Sequence, residues 1–249
     1  HGPHSFWGEM PVPRFVPSST PTHLRASGLR ALALTPLLLA LAACGGGDDD
    51  TTPPPAKAFQ LTILHINDHH STLAAQTKAL KFDLGSGTPD SVNVSVGGFA
   101  RVTQAMQELA AASKDPVLKL HAGDALTGTL FFNRAGAEGE ADAALMNTVC
   151  FDAFTLGNHE FDKGDSALAG FLKRLTTGGC STQPLSANVK FGANSALHAS
   201  RAKDLVKPSM VISKDGQKIG VVGLTIAGKT KASSSPDADT TFDDEAVAA

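Results

Sequence analysis

The chain has 249 residues, 42% hydrophobic and 18% charged, with a formal net charge of −3. That length holds one large domain or a domain and a half, and that balance is globular. The mild acidity gives no basic footprint for a nucleic-acid polymer, and the absence of tyrosine leaves base stacking to phenylalanine.

Residues 1–9 precede Met10 and read as lying outside the natural start. Met10 to Arg30 carries Arg14, Arg25 and Arg30, and Ala31–Ala43 is an apolar run of 13 residues broken only by Thr35 and Pro36. A run this short does not span a bilayer, and the basic-then-apolar order is that of a secretory signal. It ends Leu41-Ala42-Ala43-Cys44-Gly45, which resembles a bacterial lipobox. On that reading residues 1–44 are a leader and Cys44 is the lipidated first residue of the mature protein. An ordinary signal with a chance cysteine is the alternative. Residues 45–58, rich in Gly, Asp and Pro, form a disordered tether.

The folded part, residues 59–249, begins with a strand over Leu61–Ile66 that ends in Asn67-Asp68-His69-His70. A polar, Gly-rich passage runs to Asp90, with a short strand over Val92–Val96. Gly97-Gly98 breaks the pattern, and Val102, Met106 and Leu109 then fall at helical spacing. Val117–His121 is a strand ending in Ala122-Gly123-Asp124. Ala141–Val149 is partly helical. The apolar run Val149–Leu156 leads into Gly157-Asn158-His159-Glu160-Phe161-Asp162, and an amphipathic helix starts near Asp165. Ile219–Ile226 is a final strand after the turn Lys214-Asp215-Gly216-Gln217, and Asp243-Asp244-Glu245 opens a helix. Strands alternating with helices make the class α/β.

Three strand-like runs thus end in Asp, His or Asn. Open α/β sheets hold their ligands at that edge. Oxygen donors with imidazole suit Mn, Zn or Fe better than a thiolate metal site. Asp68 and His70, two apart, point the same way from an extended backbone, so both reach one ion. His69 points elsewhere. His65 and His121 read as hydrogen-bonded imidazoles rather than ligands. Asp162, three residues beyond His159, reaches the imidazole and sets its tautomer. Glu160 has no assignable role.

These stretches resemble the motifs of the calcineurin-like metallophosphoesterases, and more closely the periplasmic 5'-nucleotidase branch. Gly97-Gly98-Phe99-Ala100-Arg101, Ser186-Ala187-Asn188-Val189 and Lys218-Ile219-Gly220-Val221-Val222-Gly223-Leu224-Thr225 extend the match in the family's order. Ser71 stands where the family usually has Gly. The resemblance implies a sandwich of two β-sheets flanked by helices, carboxyl-terminally truncated here, since the family's later His motif and substrate domain would follow Ala249. It implies two divalent metal ions, Mn, Zn or similar. Asp68 and His70 would serve the first, Asp124 would bridge, and Asn158 would serve the second, with His159 facing away from that ion as a catalytic group and Asp162 orienting it. Gly123 would let backbone approach the ions. The expected activity is metal-dependent hydrolysis of small nucleotide phosphoesters by water, in the periplasm or cell envelope, on a lipid anchor. A related hydrolase of non-nucleotides such as thiosulfate esters, or an inactive fragment, are the alternatives. Cys150 and Cys180 either pair in an oxidising compartment or remain buried free thiols.

Overall fold

The computed structural model describes residues 58–249 except 84, 86, 138 and 178. The expected leader, tether and Cys44 lipidation site lie outside the described residues, apart from residue 58.

Four strands form one parallel sheet in the order β1 (Thr62–Ile66), β4 (Val117–His121), β5 (Ala153–Thr155) and β6 (Gln183–Leu185). Parallel strands are buried by the helices that connect them. Here those helices are α1 (Phe99–Ala112), α3 (Glu140–Val149) and α4 (Gly164–Thr177), after the hairpin β2 (Gln76–Phe82) with β3 (Asp90–Val96) and the short α2 (Leu130–Arg134). α4 shows why the sequence chooses a helix. Leu168, Phe171, Leu172 and Leu175 recur at i, i+3, i+4 and i+7, and all four are fully buried. Phe171 meets Phe154 of β5 edge-on, with centroids 5.7 Å apart. Helix α3 packs against both α1 and α4.

The remaining strands pair antiparallel in twos: β2 with β3, β7 (Val189–Lys190) with β10 (Thr241–Phe242), and β8 (Ser209–Lys214) with β9 (Gln217–Val222). The short helices α5 (Ala227–Ser233) and α6 (Glu245–Ala248) complete the chain. The α/β class therefore holds. The strand expected over Ile219–Ile226 starts two residues earlier and stops at Val222. The polar, Gly-rich passage from His70 to Asp90, for which the sequence suggested no element, contains β2.

Several motif stretches act as struts. Asn188 is buried; its Oδ1 accepts from the Thr225 amide at 2.8 Å and its Nδ2 donates to the Thr225 carbonyl at 2.7 Å. Thr225 Oγ1 donates to the Leu156 carbonyl at 2.8 Å. Arg101 donates to the Ser95 and Gly97 carbonyls, at 3.1 Å each. Cys150 and Cys180 form a disulfide with Cα atoms 5.2 Å apart. It ties the end of α3 to the segment entering β6.

Candidate metal centre

β1, β4 and β5 each end at the same edge of the parallel sheet, and the polar loops follow. Loop one carries Asp68 and His70, loop two Asp124, loop three Asn158 and His159. Backbone bonds join the first two: Asp68 N–H donates to Gly123 O at 3.0 Å and His70 N–H to Asp124 O at 3.2 Å. Asp68, His70 and Asp124 sit at φ 52°, 44° and 52°. Non-glycine residues occupy that region only when their surroundings over-determine them, and backbone strain of this kind collects at functional sites.

Donor atoms of His70, Asp124 and His159 lie within 4.8 Å of one another. Two imidazole nitrogens and a carboxylate oxygen in that space match the ligand chemistry of Zn or Mn. Asp68 stands just outside this trio, its Oδ1 3.5 Å from His70 Nε2. Its other oxygen accepts from the Asn67 amide. Asn158 is buried beside the cluster, with Nδ2 3.5 Å from Ser234 Oγ.

The His159 ring lies at the cluster, meeting that of His70 edge-on at 4.8 Å. Residues 159–161 form a 3-10 turn. Successive side chains there rotate by about 120° rather than alternating as in a strand. The dyad itself forms as expected: His159 Nδ1 donates to Asp162 Oδ2 at 2.7 Å, with Thr127 Oγ1 at 3.3 Å. Burial lowers the His159 pKa, but the hydrogen bond and charge of Asp162, with the charges of Asp124 and Glu160, more than offset it. The imidazole therefore sits above its ordinary value.

Glu160 is the functional residue that sequence reasoning missed. It is buried, and its two oxygens accept from four backbone amides: Asp124 at 2.9 Å, Ala125 at 2.9 Å, Leu126 at 3.3 Å and Gly157 at 2.6 Å. It clasps loop two to loop three. Burial and the Asp124 charge push its carboxyl up to about 7, against the downward pull of the amides. Its isolation among metal-type residues was the available signal, since a carboxylate inside an apolar strand-to-helix turn needs partners.

Gly123 also has a steric reason within the fold. A Cβ there would lie 2.6 Å from the Gly157 nitrogen, and one on Gly157 would lie 2.5 Å from the Asp124 nitrogen and overlap Asp124 Oδ1. The paired glycines let the two loops touch each other. The Asp124 carboxylate is held from the far side, where Oδ1 accepts from the His159 amide at 2.9 Å.

His69 and His121 point into the core as expected for non-ligands. Burial and then the neighbouring His69 hold the His121 imidazole well below its ordinary value, so it is neutral. No described helix is long and apolar enough to cross a membrane.

Residues 61–209 match the family model of the calcineurin-like phosphoesterases. Over 187 residues, 75% of this chain, the chain is 46% identical to a probable 5'-nucleotidase of Treponema pallidum, covering 28% of that protein. It is 43% identical to an NAD 5'-nucleotidase of Haemophilus influenzae, across 78% of this chain and 29% of that protein. The solved structure of a Haemophilus influenzae NAD nucleotidase superposes with TM-score 0.65 at 41% identity, over 76% of this chain and 34% of that one. The chain thus spans less than a third of the length of these two curated relatives.

Proposed function

Because the chain belongs to the calcineurin-like phosphoesterase family, we propose that it supplies the metal half of a nucleotide phosphoesterase, hydrolysing small nucleotide phosphoesters with two divalent ions. The observation that carries the reading is the convergence of His70, Asp124 and His159 donors at the carboxyl edge of the sheet, with Asp68 adjoining. The two curated relatives named above are both nucleotidases, which favours a nucleotide over a thiosulfate ester.

Asp68, His70, Asp124 and Asn158 are the residues that would hold the ions. Bound divalent ions supply Lewis acidity toward phosphoryl oxygens and a water-derived nucleophile at neutral pH. The chain's own contribution is positional and protonic. Asp162 accepts the His159 Nδ1–H hydrogen bond, which leaves Nε2 to face a phosphoryl or leaving-group oxygen. Its raised pKa favours the protonated form, a donor to developing negative charge. Glu160 keeps Asp124 and the His159 turn at fixed separation. Residues 1–44 as leader, 45–58 as tether, 59–249 as part of the catalytic domain, and Cys44 as a lipid anchor in the periplasm or cell envelope complete the proposal. The disulfide supports an oxidising compartment.

The test is hydrolysis of a chromogenic phosphodiester and of nucleoside 5'-monophosphates with Mn2+ or Zn2+. Asp124→Asn abolishes the activity if Asp124 bridges the ions; full activity in that variant removes it from the bridge.

A further inference from the structure

Behind the proposed ligands lies a second set of polar side chains that the reaction does not use. His69 is flanked in sequence by Asp68 and His70 but turns inward. Its Nδ1 is 2.9 Å from His121 Nε2, and its Nε2 is 3.3 Å from Asp142 Oδ1. The other nitrogen of His121, Nδ1, accepts from the Gly123 amide at 3.1 Å. Asp142 and His121 are buried, at 0% and 1% exposure, and the His69 side chain is 9% exposed. Phenylalanines close around them: Phe99 at 5.0 Å from the His69 ring, Phe151 at 5.3 Å and Phe154 at 5.2 Å from that of His121.

The chain of bonds admits one direction. A backbone amide only donates, so His121 Nδ1 has no proton. The neutral ring then carries its proton on Nε2 and donates to His69 Nδ1. His69 in turn has its proton on Nε2 and donates to Asp142 Oδ1. No ring nitrogen is left over and none meets its own kind. A flip of either ring would set proton against proton in an apolar box, where an unmade hydrogen bond is not replaced by water. Asp142 Oδ2 has no hydrogen-bond partner among the described residues, so this oxygen array is anchored through Oδ1 alone.

We propose that Asp142, His69 and His121 form a buried positioning relay that runs from helix α3 to the Gly123 amide and sets the separation of the loop bearing Asp68 and His70 from the loop bearing Asp124. The inference rests on the reading of those loops as ion-binding. It assigns these three as positioning residues, since none faces the donor cluster. His69 grips loop one between its two proposed ligands, and His121, two residues before Gly123, grips loop two at the Gly123 amide, where the Gly123-Asp124 pair closes on Gly157. The left-handed backbone at Asp68, His70 and Asp124 needs such outside constraint to persist. The relay also makes helix α3 part of the site, although α3 contributes no donor to it.

Nitrogen-15 NMR of histidine-labelled protein, on the whole 249-residue chain without metal, reads the tautomers directly. Both His69 and His121 are expected with Nδ1 unprotonated and Nε2 protonated; a protonated Nδ1 on either ring overturns the relay. Mn2+ titration of three forms gives the second readout. Asp142→Leu weakens Mn2+ binding by up to about 10-fold, the low end of the cost of losing a hydrogen-bond partner around a metal site, because Asp142 acts through His69 rather than on a ligand. Asp142→Asn, whose amide oxygen accepts the same bond, restores most of that affinity. Equal affinity in Asp142→Leu and the parent chain overturns the proposal, as does Asn failing to rescue a folded Leu variant. If Asp142→Leu does not fold, the tautomers decide alone. A parent chain that binds no Mn2+ sinks the ion-binding reading, whereas the metal-free tautomers still judge the relay by themselves.

Discussion

Replacing Gly157 by alanine should separate the two loops that the account needs in contact. The added methyl would sit 2.5 Å from the Asp124 nitrogen, 2.8 Å from its Cγ, and against its Oδ1. Ordinary carbon contact lies near 3.5–4.0 Å, so one loop must retreat by about 1 Å. The displaced atoms are the ones that Glu160 and His159 hold: Gly157 N–H to Glu160 at 2.6 Å, Asp124 N–H to Glu160 at 2.9 Å, and the His159 amide to Asp124 Oδ1 at 2.9 Å. Overpacking costs about 1–3 kcal/mol. Stretching one charge-assisted bond adds about 1.5–3 kcal/mol. The sum is a loss of about 2.5–6 kcal/mol in urea unfolding followed by circular dichroism. A 1 Å misplacement of reacting groups also costs about 100-fold in rate. Gly220→Ala is the control, because nothing lies within 4 Å of a Cβ there. Parent-like stability and Mn2+ affinity in Gly157→Ala would refute the reasoning about loop contact.

The other predictions are smaller. Ser71 is buried at φ 48°, and its hydroxyl has no partner among the described residues. Ser71→Gly relieves about 1–2 kcal/mol of left-handed strain and a buried hydroxyl, against about 0.5–1 kcal/mol of glycine entropy. The variant should therefore unfold at higher urea, and a lower midpoint contradicts this. Breaking the Cys150–Cys180 bridge, whose cysteines are 30 residues apart, should cost about 3–4 kcal/mol by loop entropy, read as the difference between oxidised and Cys150→Ser chains. More than one titratable free thiol in the native chain, which also carries Cys44, would contradict the pairing. Glu160 gives a pH signature in the metal-free chain. Its native carboxyl titrates at about 7 rather than 4.5, so the native state keeps a proton that the unfolded chain releases. That contribution is fully present below pH 4.5 and lost as pH rises through 7, about 3 kcal/mol in all. Relative to Glu160→Gln, the parent chain should lose stability across that window; a constant difference between the two would contradict it.

Some of this was legible in the residues and some was not. Apolar runs ending in Asp68, Asp124 and Asn158 announced both the parallel strands and their ligand edge, because period and polarity change at one point. Strand β2 gave no such sign. All seven of its residues are exposed, so no apolar face marks it, and only pairing with β3 makes it a strand. The helical pattern of α4 was plain because its buried face is continuous. Glu160 was opaque for another reason: its partners at Asp124–Leu126 are some 35 residues away, and backbone amide donors leave no trace in side-chain pattern. Still longer separations hid the link between His69, His121 and Asp142: His121 reads alone as a hydrogen-bonded imidazole, His69 as pointing elsewhere, and nothing near Asp142 in the sequence marks it. The turn at His159–Phe161 changed which side chains share a face, and so brought His159 into the cluster.

The central claim is that His70, Asp124 and their neighbours gather around divalent ions. Anomalous diffraction from crystals of the chain grown with Mn2+ tests it most directly. The account predicts a peak whose protein donors include His70 and Asp124, with Asp68 or Asn158 completing the shell. An ordered His70, Asp124 and His159 with no peak among them at saturating Mn2+, or ions bound only elsewhere, would contradict it.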